Sequence, residues 1–402
     1  MMIRWREKKL GDVAKFIDYR GKTPRKTVSG IPLITAKIVK NGSILPPNEF
    51  IAESDYDAWM TRGLPKTGDV VLTTEAPLGE VAQLKDSHVA LAQRIIVLRA
   101  KEDVLDNTFL KYFLLSAEGQ ARLKSRESGT TVTGIKSSEL QEVLVPIPEL
   151  PTQKRIARIL SSLDDKIEVN NQINRNLEEQ AKAIFKSWFV DFEPFKGRKF
   201  VDSELGKIPK GWKISSLSSI AVFLNGLAMQ KFRPEEDDSG LPVLKIKELH
   251  QGYCDTNSDS CSSEIPEQYI IHDGDVVFSW SGTLLVDFWC GGECGLNQHL
   301  FKVTSEKFDK WFYFLWISHH LAEFSAIAEG KATTMGHIKR EHLDQAKVLL
   351  PSASDYNALS SILKPVYDQI VLNKIESKKL ALLRDTLLPK LMTEDNPFFG
   401  EK

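Results

Sequence analysis

Catalytic residue types occur throughout this chain, but none of them falls into a spacing that known chemistry requires. The sequence contains no GxxxxGKS or GxxxxGKT loop, no GxGxxG, no HExxH and no GxSxG. The run Asp191–Lys196 offers the acids and the lysine of a metal-dependent nuclease, yet it follows a predicted helix and fits a packed turn better. The sequence therefore favours a binding protein over an enzyme.

Four cysteines raise the question of a metal site. They are Cys254, Cys261, Cys290 and Cys294, and only the last two have a spacing that a zinc knuckle tolerates. All four lie in the second half of the chain, and the first half, which repeats the same pattern, has none. This absence argues against a structural metal that the fold requires. We expect reduced thiols, with zinc as the alternative.

Charge is unevenly distributed in an otherwise ordinary soluble composition. The 402 residues carry a formal net charge of −1 and are 42% hydrophobic and 27% charged. Residues 1–40 nevertheless hold eleven Lys and Arg against three Asp and Glu, and a phosphate backbone responds to such local basic patches. The basic N-terminus is followed by no apolar segment, and no run approaches the roughly 18 apolar residues of a membrane span. We therefore expect a cytoplasmic protein with no membrane partner.

The chain repeats itself at an offset of about 203 residues. Gly68–Val71 returns as Gly274–Val277, and Ala92–Arg94 returns as Asn297–His299. The offset drifts by a few residues in these regions but is constant across two long predicted helices. A period of this length indicates two copies of a whole domain, each followed by a helix. A tandem pair of domains is suited to a target with two halves.

Each copy predicts a mixed α/β domain. Short β-rich runs such as Val70–Thr73 and Arg94–Leu98 are bounded by Gly, Pro and Asp, and a helix is predicted over Asn107–Ser116 with a counterpart over Lys310–His319. We predict an α+β fold of two tandem mixed α/β domains, separated by two long helices that form an antiparallel coiled coil. The predicted boundaries are 1–150 for the first domain, 151–192 for the first helix, 193–352 for the second domain with a linker at 193–211, 353–392 for the second helix and 393–402 for a C-terminal tail.

Both long helices carry a heptad pattern. From Ile156 the apolar positions alternate in steps of four and three over about four and a half heptads, which is typical of a coiled-coil seam. The predicted seam consists of Leu160, Leu163, Ile167, Asn170, Asn174, Leu177 and Ile184 in the first helix, and of Leu363, Val366, Ile370, Asn373, Ser377, Leu380 and Leu387 in the second. Two separate amphipathic helices, each lying on its own domain, are the alternative.

The polar seam positions indicate how the helices pair. In an antiparallel pair Asn170 lies opposite Ser377 and Asn174 lies opposite Asn373, so that polar residues meet polar residues in the middle of the rod. A parallel pair would also match Asn170 with Asn373. The parallel pair would place both domains at one end of the rod, whereas the antiparallel pair places one at each end. We predict the antiparallel arrangement.

Three segments resemble a known family. Lys186–Gly197 (KSWFVDFEPFKG) and Asp202–Trp212 (DSELGKIPKGW) are similar to the central segment of specificity (S) subunits of type I restriction-modification enzymes, and Leu382–Met392 (LLRDTLLPKLM) is similar to their closing segment. The similarity covers essentially the whole chain, in the order recognition domain, helix, recognition domain, helix. The resemblance implies that the two predicted domains are target-recognition domains.

The resemblance also implies a function and partners. Each recognition domain would read one half of a split, asymmetric double-stranded DNA sequence, and the helices would set the spacer. The chain would hold no cofactor and perform no catalysis. Two methyltransferase (M) subunits docked on the helices would carry S-adenosylmethionine, and restriction (R) subunits bound through M would use ATP and Mg. Apolar side chains outside the seam, such as Phe185, Phe189 and Phe192, would be left for the M subunits. The alternatives are a non-catalytic assembly scaffold with little DNA specificity, and an unrecognised methyltransferase or nuclease.

Candidate DNA contacts follow from the chemistry of the two kinds of contact. Phosphates attract Lys and Arg, and base edges need amide, guanidinium or hydroxyl groups on loops. The candidate phosphate contacts are Arg20, Lys22, Arg25 and Lys37 in the first domain and Lys245, Lys247 and Lys331 in the second. The candidate base contacts are Gln93, Arg94, Thr131 and Lys136 in the first domain and Gln298, His299, Thr334 and Lys339 in the second. No catalytic or metal-binding residue is predicted.

Overall fold

The computed structural model describes residues 5–21, 23–129, 133–330 and 336–393. The chain divides into two compact units, Met1–Asp165 with Ala381–Lys402, and Lys166–Leu380. Each unit therefore combines one copy of the repeated domain with part of both long helices. Within the described ranges, no helix is long and apolar enough to cross a membrane.

The first unit is a mixed α/β unit. Its strands are β1 (Arg6–Lys9), β2 (Ala14–Asp18), β3 (Ile31–Ile34), β4 (Val39–Lys40), β5 (Ser43–Ile44), β6 (Phe50–Ile51), β7 (Val70–Thr74), β8 (Leu78–Gln83), β9 (Ala90–Leu91), β10 (Ile95–Ala100) and β11 (Leu144–Ile147). Its helices are α1 (Leu10–Val13), α2 (Glu53–Trp59), α3 (Asn107–Leu115), α4 (Ala117–Lys124), α5 (Ser137–Gln141) and the beginning of the long helix α6 (Leu150–Phe185).

An antiparallel sheet in the order β2-β10-β7-β8 forms the centre of the first unit. Successive residues of a strand point to opposite faces of its sheet. Val70 and Leu72 accordingly pack in the core that contains helix α3, while Val71 packs in the core that contains β3 and β9. Because both faces of the sheet are buried, its strands are continuous apolar runs in the sequence.

The second unit has the same classes of element. After α6 the chain forms a π-helix (Lys186–Val190) and a 3-10 turn (Glu193–Phe195). The strands are β12 (Phe200–Ser203), β13 (Gly206–Pro209), β14 (Lys213–Ser216), β15 (Val222–Asn225), β16 (Leu241–Leu244), β17 (Ser260–Cys261), β18 (Ile270–Ile271), β19 (Val276–Ser279), β20 (Val286–Phe288), β21 (Cys294–Leu296), β22 (Leu300–Thr304) and β23 (Lys347–Leu350). The helices are α7 (Leu217–Ile220), α8 (Ile246–Gln251), α9 (Lys310–Glu329), α10 (Arg340–Gln345) and the long α11 (Ala353–Leu391), and 3-10 turns cover Met229–Lys231 and Glu267–Tyr269.

The strand order confirms the internal repeat. The sheet β15-β22-β19-β20 corresponds to β2-β10-β7-β8, and the pair β14-β23 corresponds to β1-β11. Both copies also contain one parallel pair, β3 with β9 and β16 with β21. The copies differ at the helix that follows: the hydroxyl of Ser116 accepts a hydrogen bond from the Gly119 amide and starts α4, so that two short helices stand where the second copy has the single helix α9.

Helices α6 and α11 pair antiparallel, as predicted. In the second unit Asn170 Nδ2 donates hydrogen bonds to Glu376 Oε2 (2.7 Å) and Ser377 Oγ (3.3 Å), and Asn373 Nδ2 donates to Asn174 Oδ1 (2.8 Å). These are the two polar layers expected of the antiparallel register, and they exclude the parallel one. Every predicted seam residue is buried or half-buried, so the helices form one shared seam.

A charged network joins the same two helices in the first unit. The Asp164 carboxylate accepts hydrogen bonds from Lys111 Nζ (2.9 Å), Tyr112 Oη (2.6 Å) and Arg384 Nη1 (2.8 Å). Arg384 occupies a position of the heptad pattern of α11, where an apolar residue is usual. The charge of Arg384 in the seam is therefore compensated by Asp164 of α6. The bonds from Lys111 and Tyr112 to the same carboxylate attach α6 to α3.

The prediction that Phe185, Phe189 and Phe192 remain for partner subunits is wrong for the first two. Phe185 and Phe189 are 5% and 3% exposed, and their ring centroids lie 5.0 and 5.3 Å from that of Trp316 on α9. They belong to the core of the second unit because the end of α6 packs against α9; Phe192 is half-buried beside that core. The exposed large apolar residues of the paired helices are Val169, Ile173, Ile362, Leu372, Leu382 and Leu383.

Candidate nucleic-acid interface

Several of the predicted base-contacting residues of the first unit lie together in one cleft. This first cleft has a volume of about 330 Å³. Among the residues that line it are Arg20, Thr74, Glu75, Gln93, Arg94 and Lys136. Lys136 is exposed and forms no ion pair with any described residue. The cleft therefore combines an amide, two guanidinium groups and an ammonium, which are the groups that contact base edges and phosphates.

The equivalent residues of the second unit also line a cleft. This second cleft is larger, at about 630 Å³. Among the residues that line it are Arg233, Lys245, Asp259, Asn297, Gln298 and His299. Gln298 and His299 are the repeat counterparts of Gln93 and Arg94. The repeated dipeptide thus lines a cleft in each unit.

Equivalent backbone hydrogen bonds position the repeated dipeptide in the two units. The Arg94 carbonyl accepts from the Thr74 amide, and the His299 carbonyl accepts from the Trp280 amide. The Thr74 carbonyl in turn accepts from Ile135, as the Trp280 carbonyl does from Ile338. In each unit, the first bond joins the end of β7 or β19 to the repeated dipeptide. The second bond joins the same point to the segment before α5 or α10. The repeated dipeptide that lines both clefts is therefore held by the same backbone frame in the two copies, while the rest of the lining differs.

The side chains at equivalent positions differ in chemistry. In the first unit Arg94 Nε lies 3.1 Å from Glu75 Oε1. At the corresponding positions of the second unit, His299 Nδ1 and Ser281 Oγ are 3.1 Å apart. The cation–carboxylate pair that lines the first cleft is thus replaced by an imidazole that lines the second cleft and is hydrogen-bonded to a buried hydroxyl. The two clefts cannot present the same pattern of donors and acceptors to a ligand.

Arg20 has partners within its own domain. Its Nε and Nη2 atoms donate to the Asp18 carboxylate at 2.7–3.0 Å, and its Nη1 donates to the Ile135 carbonyl at 3.1 Å. The side chain lines the first cleft while it holds the segment that leads to Lys136. Arg20 therefore positions this wall of the cleft, in addition to its predicted contact with phosphate.

Of the remaining predicted residues, Arg25, Lys37, Lys247 and Lys339 line neither cleft. Arg25 and Lys37 are exposed and form no ion pair with the described part of the chain. Lys247 pairs with Asp255 (3.2 Å), and Lys339 pairs with Glu341 (3.4 Å). Lys245, in the second cleft, pairs with Asp259. Lys22, Thr131, Lys331 and Thr334 lie outside the described residues.

The basic N-terminal segment is partly neutralised in the folded chain. Four of its cations, Lys9, Arg20, Lys26 and Lys40, form ion pairs with Glu142, Asp18, Glu49 and Glu80 respectively. The charge count of the segment therefore overstates the positive charge that it can offer to a phosphate backbone.

Sequence reasoning missed several residues of the clefts. Glu75, which lines the first cleft, and Ser281, which lies behind the second as the partner of His299, were not predicted. Each stands seven residues after the start of the repeated Gly-Asp-Val-Val run, so an extended alignment of the two copies would have found them. Arg233 and Asp259 have no comparable signal, because they reach the second cleft from loops that differ between the copies.

Three of the four cysteines are buried thiols, and Cys254 is half-buried. Cys261 and Cys294 are fully buried, Cys290 is 7% exposed, and burial raises the pKa of the Cys290 thiol to about 11. Zinc binds thiolates, and a raised pKa opposes their formation. Among the described residues, no three His, Cys, Asp or Glu side chains are grouped so that they could hold a metal.

The acidic run after α6 is a packed turn. Phe195 is 1% exposed, Lys186 pairs with Asp191, and Lys196 pairs with Glu193 at 2.7 Å. The acids and lysines that resembled a nuclease motif therefore neutralise one another at the surface of the turn.

Comparison with known proteins identifies the family. The model of the type I restriction modification DNA specificity domain matches residues 2–179 and 209–382. The chain is 28% identical to the type I restriction enzyme MjaIX specificity subunit of Methanocaldococcus jannaschii, over 99% of this chain and 93% of that protein. It is 22% identical to the HindI specificity subunit of Haemophilus influenzae, over 97% of this chain and 99% of that protein.

The fold has a counterpart among solved structures. The crystal structure of a type I restriction-modification system S subunit from M. genitalium matches with a TM-score of 0.58 at 16% identity, over 97% of this chain and 96% of that chain. The predicted resemblance of the chain to this family is confirmed. With a family match in each copy of the repeat, the chain belongs to the type I restriction-modification DNA specificity domain family.

Proposed function

We propose that this chain is the DNA-specificity subunit of a type I restriction-modification complex and that each of its two domains reads one half of a bipartite, asymmetric target. The observation that carries the proposal is the pair of equivalent clefts. Both are lined by the repeated dipeptide, but in the first cleft Arg94 pairs with Glu75, whereas in the second His299 is hydrogen-bonded to the buried hydroxyl of Ser281. Because the clefts differ in donors and acceptors, the two half-sequences should differ.

The proposal assigns catalysis to partner subunits. Two M subunits would dock on the paired helices and carry S-adenosylmethionine, and R subunits bound through M would use ATP and Mg. The exposed apolar side chains Val169, Ile173 and Leu372 support helix docking, since they lie on the paired helices and outside the seam. In this scheme the chain itself neither transfers a methyl group nor cleaves DNA.

Methylome sequencing of cells with and without the gene tests the proposal. We expect one bipartite methylated motif, with two different half-sequences around an unread spacer, to disappear with the gene. A scaffold without specificity of its own would leave the motif in place. Methyl transfer or DNA cleavage by the purified chain alone would favour the rival enzyme class and contradict the proposal.

Arg94→Ala should relax one position of the motif. Arg94 lines the first cleft, and a good base contact discriminates by about 1–3 kcal/mol, which corresponds to about 5- to 150-fold. We expect methylation of sites that differ at one position of one half-sequence, with the other half unchanged. The control is Arg126→Ala, because Arg126 pairs with Glu139 at 3.0 Å outside the cleft. An unchanged motif in Arg94→Ala would show that Arg94 reads no base.

Lys37→Ala should weaken binding to all sequences alike. A lysine that contacts a phosphate contributes about one unit to the slope of log K against log salt concentration. We expect the slope measured for the assembled complex to fall by about one unit, with the motif unchanged. Lys247→Ala is the comparison. Asp255 already pairs with the Lys247 ammonium, so the loss of Lys247 should change the slope less. A slope unaffected by Lys37→Ala would remove Lys37 from the interface.

A further inference from the structure

The two equivalent glutamines are held by opposite ends of their amides. In the first cleft, the Thr23 hydroxyl donates a hydrogen bond to Gln93 Oε1 at 3.1 Å. The Gln93 Nε2 atom makes no hydrogen bond with a described residue, so both of its hydrogens remain to donate. The first cleft therefore presents the donor end of its glutamine.

The second cleft holds its glutamine the other way. Gln298 Nε2 lies 3.3 Å from His299 Nε2. An amide nitrogen can only donate, so His299 Nε2 is the acceptor of this hydrogen bond. His299 Nδ1 then carries the proton and donates to Ser281 Oγ at 3.1 Å. Oε1 of Gln298 contacts no hydrogen-bonding group among the described residues and remains as an acceptor.

These orientations follow from the side chains that differ between the copies. The segment that leads out of β2 brings Thr23 to Gln93. In the second unit the ring of His299 lies 5.7 Å from the ring of Trp280. Trp280 Nε1 donates a hydrogen bond to Asn225 Oδ1 at 2.9 Å, so the indole that packs against the imidazole is itself held in place. Each amide thus has one end engaged in a hydrogen bond before any ligand binds.

We propose that the two glutamines read opposite kinds of base edge: Gln93 donates to a keto base, guanine or thymine, and Gln298 accepts from the amino group of adenine or cytosine. This inference rests on the proposed function. In the major groove guanine offers the acceptors O6 and N7 and thymine offers O4, whereas adenine and cytosine offer amino donors at N6 and N4. Thr23 and His299 are positioning residues, because they act through the glutamines.

The same substitution should therefore have opposite effects in the two clefts. Gln93→Glu replaces the outward donors by an acceptor oxygen, so the base read by Gln93 should change from a keto base to an amino base, with guanine or thymine replaced by adenine or cytosine. Gln298→Glu keeps an outward acceptor oxygen, so its base pair should be retained, with slower methylation. This comparison does not require knowledge of which DNA strand each glutamine contacts.

Methylome sequencing of cells that carry the full complex measures both outcomes. In each variant the half-sequence read by the unaltered domain is an internal control for folding and assembly. Gln141→Glu is the matched control, because Gln141 is exposed and outside the clefts, and its motif should equal that of the wild type. Retention of the wild-type base pair in Gln93→Glu, or its exchange in Gln298→Glu, would overturn the inference.

A second variant decides the case in which Gln93→Glu abolishes methylation. Thr23→Val removes the hydroxyl that holds Oε1, so the Gln93 amide can turn over and sites with either a keto or an amino base at this position should be methylated, with discrimination lowered about tenfold. An unchanged motif in Thr23→Val would overturn the inference. If the wild-type gene produces no bipartite motif at all, the proposed function fails and the inference fails with it.

Discussion

Adding one heptad to both long helices is expected to lengthen the unread spacer of the DNA target by about three base pairs. Seven residues add about 10 Å of helix at 1.5 Å per residue, and DNA rises 3.4 Å per base pair. Seven residues also turn a helix by about 700°, which is close to two full turns. Residues beyond the insertion therefore stay on nearly the same face of the helix. The half-sequences should not change.

The insertion sites follow from the helix register. Both helices pass from one compact unit into the other, α6 between Asp165 and Lys166 and α11 between Leu380 and Ala381. We would insert a copy of residues 159–165 in α6 and a copy of 381–387 in α11. Each copy brings one member of the Asp164–Arg384 ion pair, so the added turns carry a matched seam.

Motif spacing measured by methylome sequencing checks this prediction. Insertion into α6 alone is the control: it shifts the seam of one helix against the other and should abolish methylation. A double insertion that still methylates the original spacing would show that the helices do not set the spacer.

Asp164→Ala is expected to destabilise the first unit by about 3 kcal/mol. The carboxylate binds Lys111, Tyr112 and Arg384, and its removal leaves the 8% exposed Lys111 ammonium without its counter-charge. Removing one partner of a buried ion pair typically costs about 3–5 kcal/mol, because an uncompensated charge stays buried. Hydrogen exchange measured on peptides from α3 and β10 reports the opening free energy of this unit separately from the second.

The effect of Asp164 should depend on pH. Burial alone would raise the pKa of this carboxyl, but the charge of Lys111 and the hydrogen bonds from Tyr112, Lys111 and Arg384 outweigh it, and the pKa lies below its ordinary value. A lowered folded pKa gives stability that is complete above the unfolded pKa of about 3.9 and is lost as the pH falls through the folded value. The difference between wild type and Asp164→Ala should therefore be full at pH 7 and shrink below about pH 4.

The matched control is Asp165→Ala. Asp165 is the exposed neighbour of Asp164 and forms no ion pair with a described residue, so its removal should change the opening free energy by less than about 0.5 kcal/mol. Equal effects of the two substitutions would mean that the network does not stabilise the unit.

The helices and the tandem copies could be predicted from the sequence because their signals are local or periodic. A heptad seam is visible in one dimension, and the polar positions Asn174 and Asn373, together with the place of each helix after its own domain, indicated the antiparallel register. The alternating burial of Val70, Val71 and Leu72 likewise follows from their place in a strand between two covered faces. Such features depend on neighbouring residues or on spacing alone.

Only the tertiary structure decided which of these side chains meet. Glu75 reaches Arg94 and Thr23 reaches Gln93 through the pairing of distant segments, so no spacing in the sequence indicates the ion pair or the amide orientation. The burial of Phe185 was missed for the same reason, since the helix that covers it lies more than a hundred residues further along the chain. The repeat determined that there are two equivalent sites, and contacts between segments distant in sequence determined what each site can bind.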